Sequence, residues 1–307
     1  MKKLKLIDEN WDYLIILDAC RYDYFTEIYK SFLPGNVEKR ISLGSCTPEW
    51  RNNNFPDSYS DIVYISGNPM ICKDKSIYDY KAGEHFFEVF EIWKNKWNSQ
   101  IGTVLPGDLT EQAIRIINQY NDKKIIVHYL QPHAPYICSG VSGCKTANDF
   151  QKKGYCNEFG IRRKLFDFLR PYAKKSKLLG NHSEWYLRKW LNIEPLKPIE
   201  KAWRELCTTG LRQKYRENLI SVMSQLPRLL DHLDGKVLIT SDHGELLGEK
   251  KDFSHPSTSL NPILREVPYL LIETCKKNTV KPDAFCSSEQ TNDNDKIQDK
   301  LQQLGYL

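Results

Sequence analysis

The chain has 307 residues, 40% hydrophobic and 27% charged, with a formal net charge of +5 and a mean hydropathy of −0.56. That is long enough to bury a full α/β core with an insertion, and it excludes a disordered chain. The modest positive charge suits an anionic small molecule or glycan; no nucleic-acid motif accompanies it.

The first strand-like run is Tyr13-Leu-Ile-Ile-Leu17, and it stops at Asp18-Ala-Cys-Arg-Tyr-Asp23. A carboxylate at a strand end caps the next helix or, with a second one, holds a cation. Arg21 is placed to pair with Asp23 or to hold an oxyanion through two parallel N–H donors. The basic Met1-Lys-Lys-Leu-Lys5 start is followed by Asp8, Glu9 and Asn10, and the apolar run after them is too short for a signal core. No stretch reaches the length of a membrane span, and on these grounds the chain is read as cytoplasmic.

Gly44-Ser-Cys-Thr-Pro-Glu-Trp50 comes next, with the look of a helix start, Pro48 falling in its first turn. A nucleophile here would gain from the helix N-terminus and from a nearby cation. Strand-like runs follow at 62–66 and 125–130. Between them Asp108-Leu-Thr-Glu111 resembles a capping box ahead of a helix with Ala113, Ile116, Ile117 and Tyr120 on one face. The 125–130 run leads into Gln131-Pro-His-Ala-Pro-Tyr136, where a turn histidine, His133, is suited to donate a proton to a leaving oxygen.

Residues 150–205 are rich in Lys, Arg, Trp and Tyr and read as a helical insertion, its aromatics packed on one face and its cations solvated. A basic, aromatic surface of this kind is also able to meet an anionic polymer or a membrane. From Leu211 to Leu233 apolar residues recur at helical spacing, with Pro227 expected to kink or interrupt the helix. Lys236-Val-Leu-Ile-Thr-Ser-Asp-His-Gly-Glu245 then repeats the pattern of a buried strand ending in ligand-type side chains, Asp242 and His243. Gly244 allows a sharp turn or a close approach to a ligand. A last strand is expected at 268–272. Residues 1–275 are expected to form one catalytic domain, and 276–307 a polar loop and short amphipathic helix packed on it. The nine cysteines show no paired spacing. Cys138, Cys144 and Cys156 cluster near His133, but free buried thiols fit them better than a zinc site.

The alternation of strands and helices predicts an α/β fold, a mostly parallel central sheet with helices on both faces. Taken in order, the motifs resemble the sulfatase branch of the alkaline phosphatase superfamily. Asp18-Ala-Cys-Arg21-Tyr-Asp23 is similar to its first metal-binding motif, Cys46-Thr-Pro48 to the nucleophile segment, Gln131-Pro-His133-Ala-Pro-Tyr136 to the Pro-His turn, and Ser241-Asp-His-Gly-Glu-Leu-Leu-Gly-Glu249 to the second metal motif. The resemblance implies that Asp18, Asp242 and His243 bind one divalent cation, with Cys46 completing the coordination and serving as nucleophile. It implies that His133 and His255 contact the transferred group or the leaving group, with His255 alternatively a second-metal ligand. The cation would be Mn²⁺, Zn²⁺ or Ca²⁺. His243 in place of an amide ligand favours Mn²⁺ or Zn²⁺ and draws the resemblance toward phosphonate monoester hydrolases.

Two departures stand out. Ala19 replaces the second Asp of the usual pair, and Trp50 stands where Cys-x-Pro-x-Arg has its arginine, Arg51 falling one place late. Conversion of Cys46 to formylglycine is recognised through that arginine. The nucleophile is therefore ranked Cys46, then Thr47, then Ser45. The implied activity is hydrolysis of a sulfate or phosphate ester on a small molecule or glycan, through a covalent nucleophile. The alternatives are transfer of a phospho-group onto a glycan or lipid acceptor, or non-catalytic oxyanion binding.

Overall fold

A computed structural model describes residues 1–137, 158–175, 182–275 and 294–304. Twelve strands are found among them, β1 (Lys3–Leu4), β2 (Tyr13–Leu17), β3 (Glu38–Ser42), β4 (Tyr59–Ser66), β5 (Phe86–Glu91), β6 (Trp97–Asn98), β7 (Thr103–Val104), β8 (Lys124–Tyr129), β9 (Gly235–Thr240), β10 (Leu246–Glu249), β11 (Asp252–Ser254) and β12 (Glu266–Thr274). The helices are α1 (Tyr22–Ile28), α2 (Thr47–Asn54), α3 (Ile92–Asn95), α4 (Pro106–Ile117), α5 (Glu158–Lys175), α6 (Ser183–Trp190), α7 (Pro198–Met223), α8 (Leu226–Leu230), α9 (Pro262–Arg265) and α10 (Asn294–Leu304).

Eight strands form the central sheet in the order β1-β3-β12-β9-β2-β8-β4-β5. Only β12 runs against its neighbours; every other pairing in that sheet is parallel. β2 lies in the middle and all five of its residues are buried, as a parallel strand covered on both faces requires. Its side chains alternate between two cores. Tyr13, Ile15 and Leu17 pack with Phe25 of α1, Ala113 of α4, Leu219 of α7 and Leu229 of α8. Leu14 and Ile16 pack on the opposite face with Trp11, Phe55 and Trp50 of α2. The expected α/β architecture with both faces covered is what the chain adopts.

The insertion is helical, as its composition suggested. α5, α6 and the first part of α7 occupy the crossover between β8 and β9. α7 is broken at Cys207, which has φ 57°. Trp185, Ile199 and Trp203 of this unit pack with Ala134 and Tyr136 after β8, and with Leu247 and Phe253 of the β10–β11 hairpin. The insertion therefore stands on the segment that carries His133. Arg188 of α6 and Arg204 of α7 both pair with the fully buried Glu200 of α7. Pro227 falls in the first turn of α8, so the long apolar pattern is two helices rather than one kinked helix.

One local expectation fails. Asp108 lies inside the first turn of α4 rather than at its N-cap, which is Leu105, and no side chain caps the helix. Pro106 at the first turn displaced the start, since proline needs no N–H partner there. The Cys138, Cys144 and Cys156 group, residues 276–293 and the last three residues lie outside the described residues.

Candidate active site

β2 and β9 run parallel and adjacent, with Ile16 opposite Thr240. Two residues further on, Asp18 and Asp242 leave their strands side by side at the carboxyl edge of the sheet, where parallel α/β folds place ligands. β8 flanks β2 on the other side, so the turn after it brings His133 to the same edge, its N–H donating to the Asp18 carbonyl at 3.2 Å. Ala19 turns the chain with φ 58°. Its N–H donates to Asp242 Oδ1 at 2.9 Å, and the next N–H, of Cys20, donates to Ser241 Oγ at 2.8 Å. The residue that replaces the family's second Asp is thus the one that ties the two strand ends together.

Asp18, Asp242 and His243 form one donor cluster, their ligand atoms within 4.8 Å of one another. All three are fully buried. His243 Nδ1 lies 2.8 Å from the Gly244 carbonyl, an acceptor, so Nδ1 carries the proton and the Nε2 lone pair faces the carboxylates. Nε2 stands 3.3 Å from Asp242 Oδ2 and 3.9 Å from Asp18 Oδ1. Asn68 Nδ2 donates to Asp18 Oδ2 at 2.5 Å, while Asp18 Oδ1 is buried with no hydrogen-bond partner. Burial, and after it the charges of Asp242 and Glu245, push the Asp18 carboxyl well above its usual range. Burial works against Asp242 as well, but His243, His128 and bonds from Ala19 and Thr47 hold it below its ordinary value. Two crowded carboxylates, an orphaned oxygen and an unprotonated imidazole nitrogen fit a divalent cation of the zinc or manganese kind.

Thr47 completes this cluster. It is the first residue of α2, fully buried, and its hydroxyl donates to Asp242 Oδ2 at 2.7 Å while lying 3.4 Å from His243 Nε2. Cys46 is the N-cap residue of α2 and makes no capping hydrogen bond through its side chain. Burial, with the Glu49 and Asp242 charges, raises its thiol above the ordinary value, and Cys46 joins neither donor cluster among the described residues. Ser45 Oγ is held by Glu49, the Pro256 carbonyl and the Ser259 N–H. Arg51 turns away from the site: its guanidinium donates to the Met70 and Ile77 carbonyls and lies over the Tyr80 ring.

His133, Glu245 and His255 form a second donor cluster. His255 Nδ1 is 3.2 Å from Glu245 Oε1, and its ring lies 4.5 Å from that of His243 and 5.1 Å from that of His133. The two clusters therefore adjoin through the His255 and His243 rings. Burial, followed by the His255 charge, lowers His133 to about 4, and burial followed by His243 lowers His255 well below 6.5. Both imidazoles are neutral near pH 7. Arg21 takes the first of its two sequence options. It donates two hydrogen bonds to the Asp23 carboxylate at 2.9 and 2.6 Å, donates to Glu249 at 2.7 Å, and braces the hairpin.

Gly244 serves a close approach, though not to a ligand. A Cβ there would meet the Ile263 carbonyl oxygen at 2.0 Å, and its N–H donates to the Leu264 carbonyl at 2.9 Å. Asn68, His128 and Glu245 were not assigned roles by sequence reasoning. Asn68 follows β4 as Asp18 follows β2, so the strand-end pattern held the signal. His128 lies within β8, its Nδ1 2.8 Å from the Tyr64 hydroxyl, its Nε2 3.8 Å from Asp18 Oδ2. Nothing in its sequence context distinguishes it from a core residue.

A mostly parallel sheet, helices on both faces and a donor-rich carboxyl edge make this an alkaline phosphatase/sulfatase-like fold. No protein-family model and no curated protein sequence matches the chain. Solved structures do. It is similar to the integral membrane lipooligosaccharide phosphoethanolamine transferase A of Neisseria meningitidis, with TM-score 0.50 and 12% identity over 90% of this chain and 50% of that one. It is also similar to the C-terminal periplasmic domain of the phosphoethanolamine transferase EptC of Campylobacter jejuni, with TM-score 0.47 and 14% identity over 88% of this chain and 82% of that one. A third is the phosphonate monoester hydrolase of Silicibacter pomeroyi, with TM-score 0.43 and 14% identity over 88% of this chain and 68% of that one. The chain thus spans half the length of the first of these.

The expectation of a cytoplasmic chain is corrected: the first of these structures is an integral membrane protein. No described helix is long and apolar enough to cross a membrane.

Proposed function

We propose that this chain is a divalent-metal-dependent transferase that moves a phospho-group from an anionic phosphodiester donor, through Thr47, to a hydroxyl on a glycan or lipid acceptor. The observation that carries this reading is the Thr47 hydroxyl, buried at the start of α2 and held by Asp242 and His243. Two of the similar proteins named above are phosphoethanolamine transferases, which agrees with it.

Asp18, Asp242, His243 and Thr47 would hold the cation, which when bound supplies Lewis-acid stabilisation of the transferred group and of the Thr47 oxygen. Asp242 accepts the Thr47 proton, and the N-terminal N–H groups of α2 favour the developing alkoxide. Thr47 Oγ1 then forms a bond to phosphorus as the bond to the donor's alkoxide breaks and that oxygen takes a proton from water, giving a phosphothreonine ester. In the second half the acceptor hydroxyl attacks phosphorus, and the Thr47 oxygen departs and is reprotonated. His255, neutral and oriented by Glu245, takes the acceptor's proton, while His133 lines the leaving-group side. Arg21 supports the site from behind and does not touch the substrate.

Hydrolysis of the same intermediate by water is the second reading; the neutral imidazoles of the second cluster favour it equally. Sulfatase chemistry at a formylglycine has less support, because Cys46 stands outside both donor clusters. The test is to load the purified chain with Zn²⁺ or Mn²⁺, supply a phosphodiester donor, and map the modified peptide by mass spectrometry. A phospho-adduct on Thr47 that clears only when an alcohol acceptor is added supports transfer. Clearance in water at the same rate turns the reading to hydrolysis. An adduct or an aldehyde on Cys46 overturns the assignment of Thr47.

A further inference from the structure

We propose that His128 is a positioning residue of the metal cluster: its Nε2–H, fixed there by Tyr64, holds Asp18 Oδ2 and leaves Oδ1 for the cation. The inference deepens the reading of Asp18, Asp242 and His243 as cation ligands and rests on it.

The sheet register puts the three residues in line. His128 of β8 stands opposite Ile16 of β2 on one side and opposite Ser66 of β4 on the other. Asp18 lies two residues beyond Ile16, and Tyr64 two before Ser66. The alternation of a strand therefore sets all three side chains on one face, in a diagonal that ends at the carboxyl edge. Each of them is fully buried, and the Trp50 ring of α2 packs against the imidazole with centroids 5.9 Å apart.

The partners of the imidazole place its proton. Tyr64 Oη lies 2.8 Å from His128 Nδ1. Among the described residues no other group takes that hydroxyl in a hydrogen bond. A buried phenol O–H needs an acceptor. Tyr64 therefore donates to Nδ1, and the ring carries its own proton on Nε2. Nε2 has no hydrogen-bond partner among the described residues and stands 3.8 Å from Asp18 Oδ2. A turn about the Asp18 Cβ–Cγ bond, a soft torsion, brings the two into contact.

The carboxylate is thus divided between two tasks. Oδ2 faces donors of the protein, Asn68 Nδ2 at 2.5 Å and the Nε2–H of His128. Oδ1 has no hydrogen-bond partner among the described residues and lies 3.9 Å from His243 Nε2, on the side of the donor cluster. Two donors on one oxygen fix which of the pair is offered to the cation, and they offset part of the negative charge crowded beside Asp242. The competing role for His128, a further metal ligand, needs a bare Nε2 and a proton on Nδ1. That tautomer leaves the Tyr64 hydrogen without an acceptor among the described residues, and His128 belongs to neither donor cluster.

The experiment uses the full chain labelled with isotopic histidine. Long-range proton–nitrogen spectra read the tautomer, the His128 signals being those that vanish in His128→Leu, and competition with a chelator reads Zn²⁺ affinity. Wild type is expected to show the Nε2–H tautomer. Tyr64→Phe keeps the ring in the core and deletes only the hydroxyl; it is expected to move the proton toward Nδ1 and to weaken Zn²⁺ binding about tenfold. His128→Leu should lose about 10–100-fold, whereas His128→Gln, whose amide donates from the place of Nε2, should stay within about threefold of wild type. The proposal is overturned by an Nδ1–H tautomer in wild type, by unchanged affinity in either Tyr64→Phe or His128→Leu, or by a Gln variant as weak as the Leu one, which marks a ligand or a packing residue. Where His128→Leu does not fold, Tyr64→Phe decides, its signals assigned from His128→Gln. Wild type that binds no Zn²⁺ sinks the metal centre on which the inference rests. Zn²⁺ binding with the expected dependence on His128, in a chain that turns over no ester, sustains the inference while sinking the transfer reading.

Discussion

Glu200→Ala removes the acceptor at the centre of a buried ion network. Glu200 is fully buried and receives Arg188 at 3.0 and 2.8 Å, the Leu196 N–H at 3.2 Å, and Arg204. The side chains of Arg188 and Arg204 are only 7% and 14% exposed, so neither guanidinium can turn fully to water. Breaking a buried pair in this way costs about 3–5 kcal/mol, far more than the net worth of the pair itself. Converted at about 2 °C per kcal/mol for a chain of this size, the transition falls by about 6–10 °C. The loss should be local before it is global, because the network lies within α6 and α7 and touches no strand of the sheet. Tryptophan fluorescence from Trp185 and Trp203 is expected to report a transition below that of the far-ultraviolet dichroism of the sheet. A triple variant, Arg188→Met with Glu200→Leu and Arg204→Met, should recover much of the loss. If Glu200→Ala melts within about 2 °C of wild type, the network does not hold the insertion.

Thr47→Ala should abolish the covalent adduct and reduce turnover by at least about a thousandfold, and Thr47→Ser should restore part of it; an active Ala variant refutes the nucleophile. Cys46→Ala is expected to leave turnover within about threefold of wild type, since the thiol is raised and stands apart from both clusters; loss of the adduct in that variant would return the nucleophile to Cys46. Asn68→Ala frees Asp18 Oδ2 and should lower Zn²⁺ affinity by about 10–100-fold, measured by competition with a chelator, with the melting temperature nearly unchanged. Against the pull of burial, the Arg21 hydrogen bond holds Glu249 below 4.5. A depressed carboxyl contributes stability that is present above its unfolded value and lost as the pH falls through the folded one. Denaturant midpoints of wild type should therefore drop between about pH 5 and pH 3 more steeply than those of Glu249→Gln; parallel curves would refute the pairing.

The parts of the molecule that sequence made legible share one property: each is encoded within a short stretch. The buried runs at 13–17, 62–66, 125–130, 236–241 and 268–272 all appear as strands, because apolar side chains on consecutive residues suit a strand covered on both faces. Asp18, Asp242 and His243 were legible because two such runs end in ligand-type residues, and the parallel register then sets them side by side. The short strands β1, β3, β5, β10 and β11 carry mixed, partly exposed sequences and take their form from neighbours. Ranking Cys46 over Thr47 followed a motif, whereas position along the first turn of α2 decides which side chain meets Asp242.

The chain divides the site's labour along its own length. Asp18, Thr47, Asp242 and His243 come from β2, α2 and β9, and none lies in the crossover that runs from Tyr129 to Gly235. His133 comes from that crossover. An exchange of that crossover would replace His133 and the helices that stand on its segment while leaving the Asp18, Asp242 and His243 donor cluster intact, so one connection can remodel the surroundings of the cluster without touching its ligand atoms.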